Sequence, residues 1–466
     1  MCFRTGGCWR RWTARHNGQK KRRKHDPIGR ELTEADHKGH FPLSFDVPPG
    51  VTRLSAQFVA APKRASGTMF DNLISLSLWG PAGPRGARHN NPAEDFEIEA
   101  TRASPGFLPG PIEPGRWTVG LDIFRLLGPD PVDFRLDVVF TTTPIPPAAP
   151  FVAHPTRPRG PGWYRGDLHA HTLHSDGSWD VPDLVSWAQT RELDFLTLTD
   201  HNTVSAHAQV WSLATDDLLT LGGMEMTTHF GHAVTLGAGW HEWRSGKVTG
   251  RTMPDLAEAT MGAGALYVIA HPRSPGDPAC TGCRWEFVDM MPGPARLVEI
   301  WNGGPWSDYN EDGLALYRTW LTAGHRLRAT AGSDIHGEEG GRGPIGFNHV
   351  EATALSEPAI FLAVAAGRNY LSSGPRLILT AEGPEGTSFA MGEVAPAGAV
   401  FHAHWQSQSR RLVLHLVDAS GRRLSQPAPA ETHGMAELAG AQGFVMAELR
   451  DEHDVLHAVT NPIFVE

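Results

Sequence analysis

The run Asp167-Leu-His-Ala-His-Thr-Leu-His-Ser-Asp-Gly177 decides how this chain reads. It follows a stretch with strand character, and side chains alternate faces along a strand, so His169 and His171 point two donors the same way. That is half a metal site. Four further segments repeat the arrangement of ligand types after strand-like runs: Asp200-His201-Asn202, Glu225 with His232, His271-Pro272 and Asp334-Ile-His336. Imidazole and carboxylate together suit Zn, Mn or Fe as divalent ions, and a cluster this rich can hold more than one.

Around these segments, from Trp163 to about Ser373, strand and helix alternate. Phe195–Thr199 follows a helix near Pro182 to Arg191, and Leu266–Ala270 follows one near Pro254 to Gly262. About thirty residues per unit is the βα period, which predicts a parallel α/β barrel with the polar segments at the carboxyl ends of its strands. Upstream, from about Phe41 to Ile145, short alternating runs such as Leu43–Val47, Leu73–Leu78, Trp117–Leu121 and Phe134–Val138 are split by Gly/Pro turns, as in a β-sandwich. A proline-filled stretch, Thr142 to Pro161, reads as a stiff linker. After Ser373 alternation returns (Val400–His404, Leu412–Leu416, Gly443–Leu449), giving a small C-terminal β module. The expected domains are therefore a basic disordered extension (1–40), a β-sandwich (41–145), a linker (146–162), the α/β barrel (163–373) and the β module (374–466).

Composition narrows the function. The chain has 466 residues, enough for two or three domains, with 40% hydrophobic and 20% charged residues. A net charge of -10 argues against nucleic acid as a partner. No apolar run is long enough to span a membrane. Four cysteines form no disulfide framework and predict a reducing, cytoplasmic location, with Cys280-Thr-Gly-Cys283 read as an unpaired loop pair. The basic N-terminus lacks the apolar core of an export signal. The oligomeric state is not legible, and the expected partner is a small-molecule substrate.

The chain supplies its own control for the metal reading. His402 and His404 form the same HxH pattern on a strand of the C-terminal module, but no carboxylate cluster accompanies them, so they read as a solvated strand face. Asp167 and Asp200 are expected to orient ligand imidazoles through their second nitrogen. There is no GxSxG elbow and no Walker-type phosphate loop.

Taken in order, Asp167–Gly177, Leu198-Thr-Asp-His-Asn-Thr203, Gly223-Met-Glu-Met-Thr-Thr228, Ile269-Ala-His-Pro272 and Gly332-Ser-Asp-Ile-His-Gly337 resemble the motifs of the PHP (polymerase and histidinol phosphatase) superfamily. The Trp-Tyr-Arg-Gly-Asp-Leu-His lead-in and Glu299-Ile-Trp-Asn-Gly303 resemble its CehA/McbA branch, named for carbaryl hydrolases. The resemblance implies a distorted (β/α)7 barrel holding two or three divalent metal ions. It implies His169, His171, Glu225 and Asp334 on one ion, Glu225 bridging to a second held by His232 and His271, and His201 and His336 on a third, with Asp176 where many relatives have histidine.

Divalent ions bridged by such residues bring a water to its deprotonated, nucleophilic form near neutral pH and polarise the electrophile's oxygen. A metal-dependent hydrolase with a metal-bridging hydroxide follows, with Glu225 and Asp334 at the catalytic centre. For the substrate, Trp240, Trp243, Trp301 and Trp306 near the ligand strands offer an apolar pocket for a carbamate or carboxylic ester. Arg273 and Arg342 offer the positive charge that a phosphoester needs, which keeps a PHP-type phosphoesterase as the alternative. A noncatalytic, metal-stabilised binding protein is the remaining reading.

Overall fold

Alternating apolar residues build two antiparallel sheets in the first part of the chain. In one, Arg53–Ala61 pairs with Val132–Thr141 and Phe96–Glu99; in the other, Gly115–Arg125 lies between Gly39–Val47 and Leu73–Gly80, with Gly83–Arg88 at the edge. Leu54, Phe58 and Leu136 from the first sheet and Phe45, Trp117 and Leu121 from the second share one core cluster. The computed structural model describes residues 22–24, 28–90, 95–157, 159–407 and 411–466. The chain divides into two compact units, Met1–Arg85 with Pro92–Ala149, and Gly86–Asn91 with Pro150–Glu466. Most of the expected disordered extension lies outside the described residues, but its last part is ordered. Ile28–Leu32 pairs with Val132 to Leu136 and buries Leu32 completely, so the sheet begins before residue 41.

The second unit is mixed α/β. Its elements are β1 (Gly162–Asp167), α1 (Val181–Thr190), β2 (Phe195–Leu198), α2 (His207–Ser212), β3 (Leu219–Thr227), β4 (His232–Leu236), α3 (Met253–Gly262), β5 (Leu266–Ile269), β6 (Leu297–Asn302), α4 (Asp308–Thr322), β7 (Arg328–Gly332), β8 (Phe347–Ala352), α5 (Glu357–Ala366) and β9 (Asn369–Ser372). Helix starts are chemically marked. Asp180 and Thr252 cap α1 and α3, each with a proline in the first turn.

Strand order is β7-β6-β5-β4-β3-β2-β1-β8-β9. Pairing is parallel for β1/β2, β2/β3, β5/β6 and β6/β7, and antiparallel on both sides of β4 and of β8. The closed (β/α)7 barrel expected from the βα rhythm is therefore not formed by a continuous ladder. Among the described residues β7 has no strand ladder to β1 or β8, and only a single parallel bridge, Ala170 to Ile335, spans the gap. Side chains take over there. Asn348 accepts from the Ala331 amide at 3.1 Å and donates to its carbonyl at 2.6 Å. Asn461 does the same for Ala329 at 2.6 and 3.0 Å, and Asn369 adds a bond to that carbonyl at 3.1 Å. A primary amide carries both a donor and an acceptor, so it can stand in for a peptide group.

From β9 the same sheet continues through Leu456–Thr460, Phe444–Arg450, Leu412–Asp418 and Gly421–Ala428. The C-terminal strands thus extend the sheet of the second unit. A separate four-stranded sheet, Ser388–Ala390, Arg376–Glu382, Val400–Gln406 and His433–Leu438, packs Leu377, Leu379 and Phe401 into a core with Leu414 and Leu449. Among the described residues no helix is long and apolar enough to cross a membrane.

Asn348→Ala should destabilise the protein by about 2 to 5 kcal/mol, because it leaves a buried N–H and a buried C=O of β7 without partners. Urea unfolding of the variant checks this; an unchanged midpoint would show that water or backbone movement satisfies Ala331.

Candidate metal centre

One carboxylate gathers the site. Glu225 lies on β3, inside the sheet and fully buried. Its Oε2 is 3.2 Å from His169 Nε2, 3.3 Å from His171 Nε2 and 2.9 Å from His201 Nδ1. Its Oε1 is 3.0 Å from both His232 Nδ1 and His271 Nε2. Burial opposes its charge, yet the surrounding imidazoles, His201, His169 and His232 foremost, hold the Glu225 carboxyl well below the usual range. Asp334 Oδ1 stands 2.9 Å from His171 Nε2 and 3.4 Å from His169 Nε2. On the far side Asp176 Oδ1 meets His336 Nε2 at 3.1 Å and His201 Nε2 at 3.3 Å.

These contacts fall into overlapping donor sets: His169, His171, Glu225 and Asp334; His201, Glu225 and His232; His171, Asp176, His201 and His336; and His169, His271 and Glu299. All nine sequence-derived ligand candidates are brought together. Arg273 follows His271 and Pro272 on an exposed loop residue, and Arg342 is exposed and paired with Glu338. His402 is half-buried and His404 exposed on their strand, and neither belongs to a donor set among the described residues. Several atoms of these residues (His169 Nε2, His171 Nε2 and Glu225 Oε2 facing one another, and the outer Nε2 of His232) are buried without a hydrogen-bond partner. Orphaned buried polar atoms of this kind are rare, and a cation between them removes the anomaly. The donor chemistry and these orphans fit divalent metal ions.

The groups that aim the imidazoles differ from expectation. Asp167 accepts from the Ser333 and His169 amides at 2.9 and 3.2 Å, and burial pushes its carboxyl up to about 6. Asp200 binds the Thr172 amide and the Thr172 and Ser175 hydroxyls, each at 2.8 Å. These short side chains reach neighbouring turns and fold the loops that carry the ligands; they do not touch the rings. Glu299 does that work. Its Oε1 is 3.0 Å from His169 Nδ1, while Oε2 accepts from the His271 amide at 3.1 Å. The available signals were the quoted segment Glu299-Ile-Trp-Asn-Gly303 and a single carboxylate among the buried residues of the strand Leu297–Asn302. His271 Nδ1 meets the Cys283 carbonyl at 3.1 Å, and Asn302 donates to Asp334 at 3.2 Å. Thr227 holds His201 Nδ1. Cys280 and Cys283 are joined as a disulfide in the loop that carries this carbonyl, which corrects their reading as an unpaired pair.

Three ligand segments carry backbone strain. His271 (φ 26°), Asp334 (φ 49°) and Asn202 (φ 57°) are non-glycine residues with left-handed φ, each directly beside or within a ligand motif. Glycine serves where nothing else fits. A Cβ on Gly332 would lie 2.1 Å from Glu299 Oε1 and 2.3 Å from His169 Cβ.

No family model matches the chain, and no curated protein matches it. Among solved structures it is similar to a two-domain protein containing a predicted PHP-like metal-dependent phosphoesterase from Bacteroides vulgatus ATCC 8482, at 17% identity and TM-score 0.37, covering 68% of this chain and 99% of that one. A protein from Bifidobacterium adolescentis ATCC 15703, described as a metal-dependent phosphoesterase, aligns at 18% identity and TM-score 0.27 over 38% of this chain and 88% of its own. An amidohydrolase from Chromobacterium violaceum with bound sulfate and no metal aligns at 18% and 0.29, over 38% and 90%. All three TM-scores are low, and the functional reading rests on the site's own geometry.

Gly332→Ala should push Glu299 away from His169 and weaken metal binding by roughly 10- to 100-fold, the loss usual when a ligand's orienting partner is displaced. Titration of the metal-stripped variant with Zn²⁺ measures it; wild-type affinity would mean that Glu299 does not aim His169.

Proposed function

We propose that this protein is a metal-dependent hydrolase of PHP type. The observation that carries the reading is the Glu225 carboxylate, reached on both oxygens by five imidazoles whose inner nitrogens are partly orphaned. His169, His171, Glu225 and Asp334 would hold one ion; Glu225 with His232 and His271 a second; Asp176, His201 and His336 a third. Bound there, divalent ions would lower the pKa of water and polarise a carbonyl or phosphoryl oxygen. The chain's own residues do the rest. Glu299 and the Cys283 carbonyl take the outer nitrogens of His169 and His271, which leaves each Nε2 as the inward donor. Asn302 fixes the rotamer of Asp334.

For the substrate we favour an uncharged carbamate or carboxylic ester. Trp243 and Trp301 are fully buried and belong to the core, which withdraws two of the four tryptophans from this argument. A different aromatic group supports it. Phe230 precedes His232 by two residues and is 41% exposed; its ring meets that of Phe287, which packs on Trp285, at the loop following His271. Arg342 is exposed and occupied by Glu338, which withdraws it as a clamp for phosphate. A small phosphate ester is the second reading, favoured by one observation: Arg273 adjoins His271-Pro272.

His169→Ala and Asp334→Ala should each lower metal content and reduce turnover by roughly two orders of magnitude or more. A metal-free and fully active protein would end the reading. One matched pair of nitrophenyl substrates, an N-methylcarbamate and a phosphate monoester, separates the substrate classes. The carbamate is expected to turn over faster. A dominant phosphatase rate that falls about 10- to 1,000-fold in Arg273→Ala would establish the phosphoesterase instead. Metal bound without turnover of any ester would indicate a binding protein.

A further inference from the structure

His89 lies far upstream of every ligand motif, in the segment Gly86–Asn91 that belongs to the second unit. It is 7% exposed, and its ring centroid is 4.8 Å from that of His201, with the planes 59° apart. The groups that act on it electrostatically are His201, Asp176, His232 and Glu225, which puts it at the side of the cluster where two donor sets meet. Yet His89 is a member of none of the donor sets. Its ring meets the ring of His201.

His201 needs such a contact. Its two nitrogens face different carboxylates, Nδ1 toward Glu225 at 2.9 Å and Nε2 toward Asp176 at 3.3 Å. A rotation about the soft Cβ–Cγ torsion of histidine would lose both at once, together with the Thr227 contact at Nδ1. His171 stacks over the ring at 4.4 Å between centroids, 18° from parallel, and would allow it to slide in its own plane. The His232 ring meets it edge-on at 5.7 Å, and the tilted ring of His89, closer at 4.8 Å, blocks a further direction.

We propose that His89 is a positioning residue for the metal centre, wedging the His201 ring into the orientation that serves both Glu225 and Asp176. The proposal rests on reading His201 as a ligand. Because the wedge acts by shape, an aromatic ring of another kind should replace it. Because His201 sits between the second and third ion positions, its loss should weaken one binding step and spare the others.

Metal-stripped full-length protein, His89→Ala and His89→Phe are titrated with Zn²⁺ in a calorimeter. In His89→Ala the weakest binding step should lose roughly 10- to 100-fold in affinity while the tighter steps stay in place, and His89→Phe should restore it. Three outcomes overturn the proposal: an unchanged His89→Ala titration, loss of every step together, or a His89→Phe protein no better than His89→Ala. A second readout needs no metal. In long-range ¹H–¹⁵N spectra of the metal-free protein, the His201 imidazole signal, identified by its absence in His201→Asn, should broaden or shift in His89→Ala and keep its position in His89→Phe. An unmoved signal in His89→Ala refutes the wedge even where Zn²⁺ binds. Wild-type protein that binds no Zn²⁺ refutes the metal centre, and the spectra then decide the ring contact by themselves.

Discussion

The second unit is organised around the carboxylate of Glu225. It is fully buried on β3, and an isolated buried carboxylate is among the most costly groups a fold can contain. Five imidazoles from five different loop or strand positions meet its two oxygens at 2.9 to 3.3 Å. Everything nearby answers to that requirement. The strand ends must converge, the loops after them must turn sharply, and the outer ring nitrogens need partners that keep the inner ones pointing at a common centre.

Meeting the requirement strains the backbone. His271, Asp334 and Asn202 accept left-handed φ values, which for side-chain-bearing residues persist only where the surroundings hold them. Here the holding groups can be named. Glu299 links the His169 ring to the His271 amide, and Asp167 links the His169 amide to that of Ser333, so three ligand loops are tied through two buried carboxylates. Close approach of Gly332 to Glu299 makes room for the link. The open seam of the sheet is part of the same economy. Where β7 has no strand partner, Asn348, Asn369 and Asn461 satisfy its peptide groups, and the ligand-bearing residues Asp334 and His336 follow directly.

Much of the site was legible because candidate metal ligands follow a local rule: an imidazole or carboxylate at or near a strand end, next to apolar residues. His169, Glu225, His271, Asp334 and His336 obey it, His201 stands instead between Asp200 and Asn202, and the contrast with His402 and His404 came from the lack of neighbouring carboxylates. Glu299 also sits on a strand, but its role depends on which ring it meets across the sheet, and spacing carries no such information. His89 has no motif at all. The same limit explains the misreadings of Asp167 and Asp200, whose short side chains engage turns that form only when distant segments meet. It explains Trp243 and Trp301 as well, whose burial depends on what packs over them.

Sequence alone determined the alternation of strand and helix, the positions of α1, α3, β2 and β5 to within a residue or two, and the inventory of ligand types at the strand ends. These are local properties, set by side-chain alternation, capping residues and proline. Tertiary structure decided the rest: that among the described residues the ladder stays open between β7 and β1, that C-terminal strands extend the same sheet, that Cys280 and Cys283 meet, that Glu299 meets the His169 ring, and that His89 lies against His201. Each depends on contacts between residues far apart in the chain, whose distances are fixed only when the whole core has packed.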